Sequence, residues 1–307
     1  APLGWLSYPT AHLIWTTAGQ GFFLISLWLI MSLARWPDSI NKKTLFLTLS
    51  ALWIPYLQHT IWSQFNTIGV FFLVLSIQAL YRRRYGLAGA WALGLTFKPH
   101  AMMLPLVFLF LWATMRRERW YFYVGFSASA LAFWVLASLL QPGWIGAFLA
   151  SLGRYGSTRS VLDLIWNPYQ LSAIALSLAV VCLFVRNTKM DVTSPGFTGC
   201  RSLSTAVWFL IVPIGGMFHT VALPAVLVLL LSATSQYRPR LYTPAVYGLT
   251  AIYVMGLAGF IWGLSQPELY GQHILLAQFA YKITAPVAMA VLSLPLCLMR
   301  HVGVEVS

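Results

Sequence analysis

Apolar runs and short polar connections alternate from one end of the chain to the other. Residues 11–33 and 44–62 form the first two runs and residues 67–81 the third. Arg35, Lys42 and Lys43 follow the first run, and the triplet Arg82, Arg83 and Arg84 closes the third. A helix rising 1.5 Å per residue needs ~20 apolar residues to cross a hydrocarbon core. Each of these runs is therefore read as a membrane span. Between Arg84 and the next basic cluster, Arg116, Arg117 and Arg119, lie two shorter apolar segments, 85–97 and 101–115, both free of charge. If the two basic clusters share a side, the chain between them goes out and returns. The pattern predicts a helical hairpin with its apex at Lys98-Pro99-His100, because Pro99 has no N–H and pushes the residue before it away from helix.

The same alternation continues to the carboxyl terminus. Residues 120–140 lead to the longest polar connection, 141–170, which carries Arg154, Arg159, Asp163 and the run Trp166-Asn167-Pro168-Tyr169. Residues 171–186 return to a loop flanked by Arg186, Lys189 and Arg201. A second short pair, 205–217 and 220–233, is broken by Pro213, Gly215 and Gly216, with His219 at its turn. After Arg238 and Arg240, residues 243–263 and 275–299 complete the pattern. The expected fold is an all-α integral membrane bundle of about eleven apolar segments, forming a single domain over residues 1–307. Of the 19 lysines and arginines, all but Lys98, Arg154, Arg159 and Lys282 fall on one proposed side. By the positive-inside rule that side is cytoplasmic.

Composition narrows the classes. With 59% hydrophobic and 8% charged residues and a mean hydropathy of +0.76, the chain has too little polar material to cover a water-soluble globule. The formal charge of +13 does not point to nucleic acid, because the cations lie between apolar segments rather than on one face. Cys182, Cys200 and Cys297 show no disulfide framework or metal-ligand spacing, so neither a metal nor a cofactor is expected. No internal repeat is evident.

Polar residues on the other proposed side carry the candidate chemistry. A lysine at the centre of a spanning helix costs roughly 2.5–3.5 kcal/mol unless a partner or a wet cavity receives it. Lys98 either snorkels to the interface or meets an anion, and the neighbouring His100 favours a phosphate. Gln58, His59, Gln64 and Asn66 at one turn, and His219 at another, are expected to converge with Lys98 around an outward cavity, joined by the loop around Arg159. Gln64 and Asn66 also suit a helix cap, and His219 an interfacial histidine. Trp62, Trp144, Trp166 and Tyr169 can stack against a sugar or belt the interface. Of the six acids, only Asp163 and Glu268 fall on this side; Asp163 is the better candidate base, with an ion pair to Arg159 as its alternative.

Several motifs in order carry a family resemblance. Ser63-Gln64-Phe65-Asn66 is followed by an apolar span and a basic stop, then by GLAGAWALGLTFKPH (86–100) and by LPLVFLFL (104–111) before RRERW (116–120). This order resembles glycosyltransferase family 87, bacterial polytopic C-type enzymes that use polyprenyl-phosphate mannose. Ser63 stands where the family has a glycine. Tyr8-Pro9 looks like the family's Tyr-Pro after its first outer loop, and Phe218-His219 with Leu223-Pro224 looks like its late aromatic-His and Pro signature.

The resemblance implies a GT-C-like bundle with short broken helices around an outward cavity. It implies inverting transfer of a sugar, mostly mannose, from a polyprenyl monophosphate to a glycan or glycolipid acceptor, at the outer face of the cytoplasmic (inner) membrane. No metal or cofactor is implied. Lys98, His100 and Arg159 would bind the donor phosphate, Gln64, Asn66 and Trp166 the sugar or acceptor, and His219 or Asp163 would act in catalysis. The family's usual base lies in that first loop, so the first span and loop are expected upstream of Ala1. A polytopic transporter or lipid flippase is the competing class, since broken helices and an intramembrane cation serve transport too. It is disfavoured by polar groups gathered at one face and by the lack of an inverted repeat.

Overall fold

The computed structural model describes residues 6–61, 64, 66–97, 99–156, 190–211, 217–265, 277 and 279–299. Among the described residues every regular element is helical. Helix α1 (Tyr8–Ala34) is one uninterrupted span with Pro9 in its first turn, where a missing N–H costs nothing. The run 44–62 is not one helix. It divides into α2 (Ile40–Ala51) and α3 (Ile54–Ile61), because Pro55 cannot donate the hydrogen bond that would continue α2. Helix α4 (Asn66–Tyr81) matches the third apolar run.

The predicted hairpin is formed by α5 (Tyr85–Ala92), a 3-10 turn (Leu93–Phe97) and α6 (Pro99–Thr114). The described chain leaves the α-helical path in the 3-10 turn at Leu93–Phe97 and is helical again from Pro99, while Lys98, the expected apex, lies outside the described residues. Helix α7 (Tyr121–Leu140) follows a 3-10 turn (Arg117–Trp120), and α8 (Trp144–Gly156) occupies part of the expected polar connection. Helix α9 (Pro195–Ile211), a 3-10 turn (Met217–Ala222) and α10 (Leu223–Tyr237) form the second short pair. Helix α11 (Pro239–Ser265), a π-helical turn (Phe279–Thr284) and α12 (Ala285–Cys297) close the bundle.

Five stretches are long and apolar enough to cross a membrane, at 8–34, 117–140, 220–237, 239–265 and 279–297, with shorter apolar helices at 66–81 and 102–114. The protein is a membrane-embedded helical bundle. The count of eleven is not reached among the described residues, chiefly because α2 and α3 are too short to span singly and the run 171–186 lies outside them. Helix α10 is the hub: 72% of its apolar window is buried, against none for α7. It packs on α1, α9, α11 and α12, while α9 and α12 share the most extensive interface.

Close approach is set by glycine. A Cβ at Gly89 would collide with the Phe122 carbonyl, and one at Gly125 with the carbonyl of Gly86, so α5 and α7 cross with their backbones nearly touching. Without a hydrophobic force between helices in lipid, such small-residue contacts provide the attraction. Gly89→Ala is expected to cost about 1–3 kcal/mol by forcing the helices apart. Thermal unfolding in detergent checks this, and a midpoint equal to wild type would mean that α7 is not docked there.

The basic residues gather at one end of the bundle. Helices α1 and α4 both finish with an arginine in the left-handed region, Arg35 at φ 50° and Arg83 at φ 56°. The N–H groups of Arg35 and Trp36 reach Ser32 and Met31, and those of Arg83 and Arg84 reach Leu80 and Ala79, which closes each helix with a Schellman motif. Glycine usually takes this position; here a cation meets the negative end of the helix dipole instead. Trp36 Nε1 donates to Tyr242 Oη at 3.1 Å and the Ser232 hydroxyl to the Ala34 carbonyl at 3.0 Å. These bonds bring the end of α10 and the start of α11, with Arg238 and Arg240, beside Arg35 and Lys42. The start of α7, with Arg116, Arg117 and Arg119, joins the same end through the connection at 190–194.

Candidate functional site

The opposite end holds Gln58, Gln64, Asn66 and the turn that carries His219. Helices α1 and α4 run in parallel, with Phe22 and Phe71 in contact at 4.9 Å between ring centroids, so residues 64–67 lie far from the arginine caps. The Met217–Ala222 turn packs against both α3 and α4, and the Leu93–Phe97 turn packs on α4. That packing brings the backbone carrying His219 to the helices that bear Gln58 and Asn66, and sets the interruption at Leu93–Phe97 beside α4. The π-helical turn packs on Met217–Ala222 in its turn and adds the half-buried Lys282 to this end. Tyr281 fixes that turn: it is fully buried, donates to the Tyr253 carbonyl at 2.9 Å and fills the space above Gly256.

Four of the eight sequence candidates fall among the described residues. Asn66 begins α4 with only 1% of its surface exposed, and Gln64, half-buried, precedes it in the α3–α4 connection. The backbone of His100 lies in the first turn of α6 and that of His219 in the 3-10 turn. Lys98, Arg159, Asp163 and Trp166 lie outside the described residues, as do Trp62, Tyr169 and Glu268. Trp144 begins α8, with Nε1 donating to the Ser138 hydroxyl of α7 at 3.2 Å.

Two features of this end were less visible in the sequence. The Thr16 hydroxyl and the Gln58 carbonyl oxygen are both shut off from solvent and lack a hydrogen-bond partner among the described residues. A buried polar atom left unpaired costs about 1–3 kcal/mol, so such atoms mark places where a missing group would be received. A lone threonine in an apolar run carries no pattern, so the sequence gives no signal at Thr16. Gly19, one turn further along α1, lets Thr67 of α4 approach and so holds α1 against this corner.

The described carboxylates are all committed at the arginine end. Asp38 binds Lys42 at 2.9 Å, Glu118 lies 3.6 Å from Arg116, and Asp191 lies 3.7 Å from Arg83. The hydrogen bond from Lys42 holds the Asp38 carboxyl below its ordinary value. Among the described residues no group of three or more His, Cys, Asp or Glu side chains is placed to hold a metal ion. Chemically, the far end offers amides from Gln58, Gln64 and Asn66, which can bind hydroxyl groups, near segments that carry His59, His100, His219 and Lys282.

Two cations read from sequence as topological markers prove to be interior. Arg119 and Arg201 are each 2% exposed, and Arg119 knots three segments together at the basic end. Compared with protein-family models, with curated proteins and with solved structures, the chain matches none of them.

Proposed function

We propose that the chain is an integral membrane glycosyltransferase of the C type, carrying a sugar, mannose in the first instance, from a polyprenyl monophosphate to a glycan or glycolipid acceptor. In this reading the arginine end faces the cytoplasm of the inner membrane and the polar end faces outward. Lys98, with His100 and Arg159, meets the donor phosphate; Gln64, Asn66 and Trp166 contact the sugar or acceptor; His219 and Asp163 are the candidates for the proton transfer. An inverting displacement needs a base for the acceptor hydroxyl and a cation for the departing phosphate. The full assembly would be an eleven-segment, GT-C-like bundle.

One observation carries the reading: the turn bearing His219 is packed against the helices bearing Gln58 and Asn66, with the Leu93–Phe97 turn alongside α4. The pairing of Asp38, Glu118 and Asp191 with cations at the other end supports it, since it leaves the base to Asp163, Glu268 or Glu305, of which the charge pattern puts Asp163 and Glu268 on the polar side. The broken pair α5 and α6 also suits a flippase, in which a half-helix end guides an anion across. Proteoliposomes holding the chain and a polyprenyl-phosphate mannose with labelled sugar separate the two. Transfer requires the label to leave the lipid and appear in an acceptor. Intact donor crossing to the other leaflet would replace the transferase with the flippase, and an uncleaved, unmoved donor would remove both.

A further inference from the structure

Two hollows open at the arginine end, on either side of the first turn of α11. The smaller, about 340 Å³, lies between α2 and α11 over α10, and among its walls are Phe46, Leu49, Leu227 and Val246. Its cation, Lys42, already holds the Asp38 carboxylate at 2.9 Å. The larger, about 900 Å³, lies between the α10–α11 turn and the outer face of α12. Arg238 and Arg240 form its rim and Val291, Leu294 and Leu298 its wall. Both arginines are exposed, and neither forms an ion pair with a carboxylate among the described residues.

These features belong together chemically. The wall residues are 63%, 42% and 59% exposed, an apolar surface at home only against hydrocarbon. From Val291 to Leu298 the helix rises ~10 Å, enough for the upper half of an acyl chain. The guanidinium forks at the top match phosphate in geometry as well as charge. A molecule with an anionic head and hydrocarbon tails satisfies both halves at once, and basic pockets between membrane helices are known to select such lipids.

We propose that this hollow holds an anionic phospholipid of the adjoining leaflet, its phosphate between Arg238 and Arg240 and an acyl chain along α12. The site lies at the end remote from His219 and does not depend on the transferase reading. The smaller groove, with its cation neutralised, takes uncharged hydrocarbon and serves as the internal comparison.

The test uses the full chain purified in detergent and offered phosphatidylglycerol or phosphatidylcholine with identical acyl chains, with bound lipid counted by native mass spectrometry. Two surface cations should favour phosphatidylglycerol about thirtyfold at low salt. Arg238→Gln with Arg240→Gln should abolish the preference, Lys42→Gln should leave it, and Arg238→Lys with Arg240→Lys should keep most of it. Equal retention of the two lipids by the wild-type chain would overturn the proposal, as would a preference that survives the double glutamine change or vanishes with Lys42. Salt provides a measurement that needs no variant: the preference should fall steeply with ionic strength, and one undiminished at 1 M salt would sink the idea.

Discussion

Replacing Lys98 by alanine is expected to lower transfer from a polyprenyl-phosphate sugar about 10²- to 10³-fold while leaving the bundle folded. The magnitude is that of removing one charged or hydrogen-bonding group aimed at charge that grows in the transition state. As the glycosidic bond breaks, the bridging oxygen takes its electron pair and the phosphate gains charge. A cation there therefore stabilises the transition state more than the bound donor, and kcat should fall further than KM rises. Stability should move the other way. The segments 85–97 and 101–115 hold no other charge, so removing the amine relieves a cost of roughly 2.5–3.5 kcal/mol wherever the lysine lacks its anion. Lys98→Arg should recover part of the turnover and Lys98→Met none. Wild-type turnover in the alanine variant would take Lys98 out of the site.

The interruption between α5 and α6 was readable because it is a local matter. A proline fixes its own φ and lacks an N–H, which suits the first position of a helix, so the opening of α6 at Pro99 follows from that residue alone. Periodic apolar runs likewise gave the limits of α4 and α7 to within a residue. Pro55 obeys the same rule, yet it was passed over inside the run 44–62, where apolar length outweighed a single residue. What could not be read was which side chains leave the lipid for the interior. Arg119 and Arg117 sit two apart in the same basic cluster, one buried and the other exposed, and only tertiary packing separates them. The same limit applies to the polar end. The residue types at Gln64, Asn66 and His219 single them out as candidates, but the docking of the Met217–Ala222 turn on α3 and α4, a contact between segments some 150 residues apart, is not legible in the sequence.

Arg119→Ala is expected to remove about 3–5 kcal/mol of stability, the largest loss from any single side chain at the basic end. Helix α6 ends at Thr114, so the Trp112 carbonyl is among those with no partner inside the helix. Arg119 Nη1 donates to it at 3.1 Å, and Nη2 donates to the Met190 carbonyl at 2.8 Å. The Trp112 indole lies 3.8 Å beneath the guanidinium and sends its own N–H to the same Met190 carbonyl at 3.1 Å. Two hydrogen bonds from a charged donor, at about 1.5–3 kcal/mol each, account for the loss. Arg119 Nε, buried with no partner among the described residues, offsets a part. Lysine cannot rescue the site, because a point charge does not reach two carbonyls while lying flat on a ring. The thermal midpoint in detergent should fall, and protease should cut at 190–194 well below it. The neighbouring carboxylate gives this latch a pH limit. Burial alone would raise the pKa of Asp191, but hydrogen bonds from the Thr193 N–H and hydroxyl, with the Arg83 and Arg119 cations, outweigh it and hold the carboxyl below its ordinary value. A depressed folded pKa adds stability that is present above the unfolded value of ~3.9 and is lost as pH falls through the folded value. Protease sensitivity of 190–194 should thus appear below about pH 4 in the wild type, and it should already be present at pH 7 in Asp191→Asn. A latch equally resistant in that variant at both pH values would show that Arg119 holds the connection without the carboxylate.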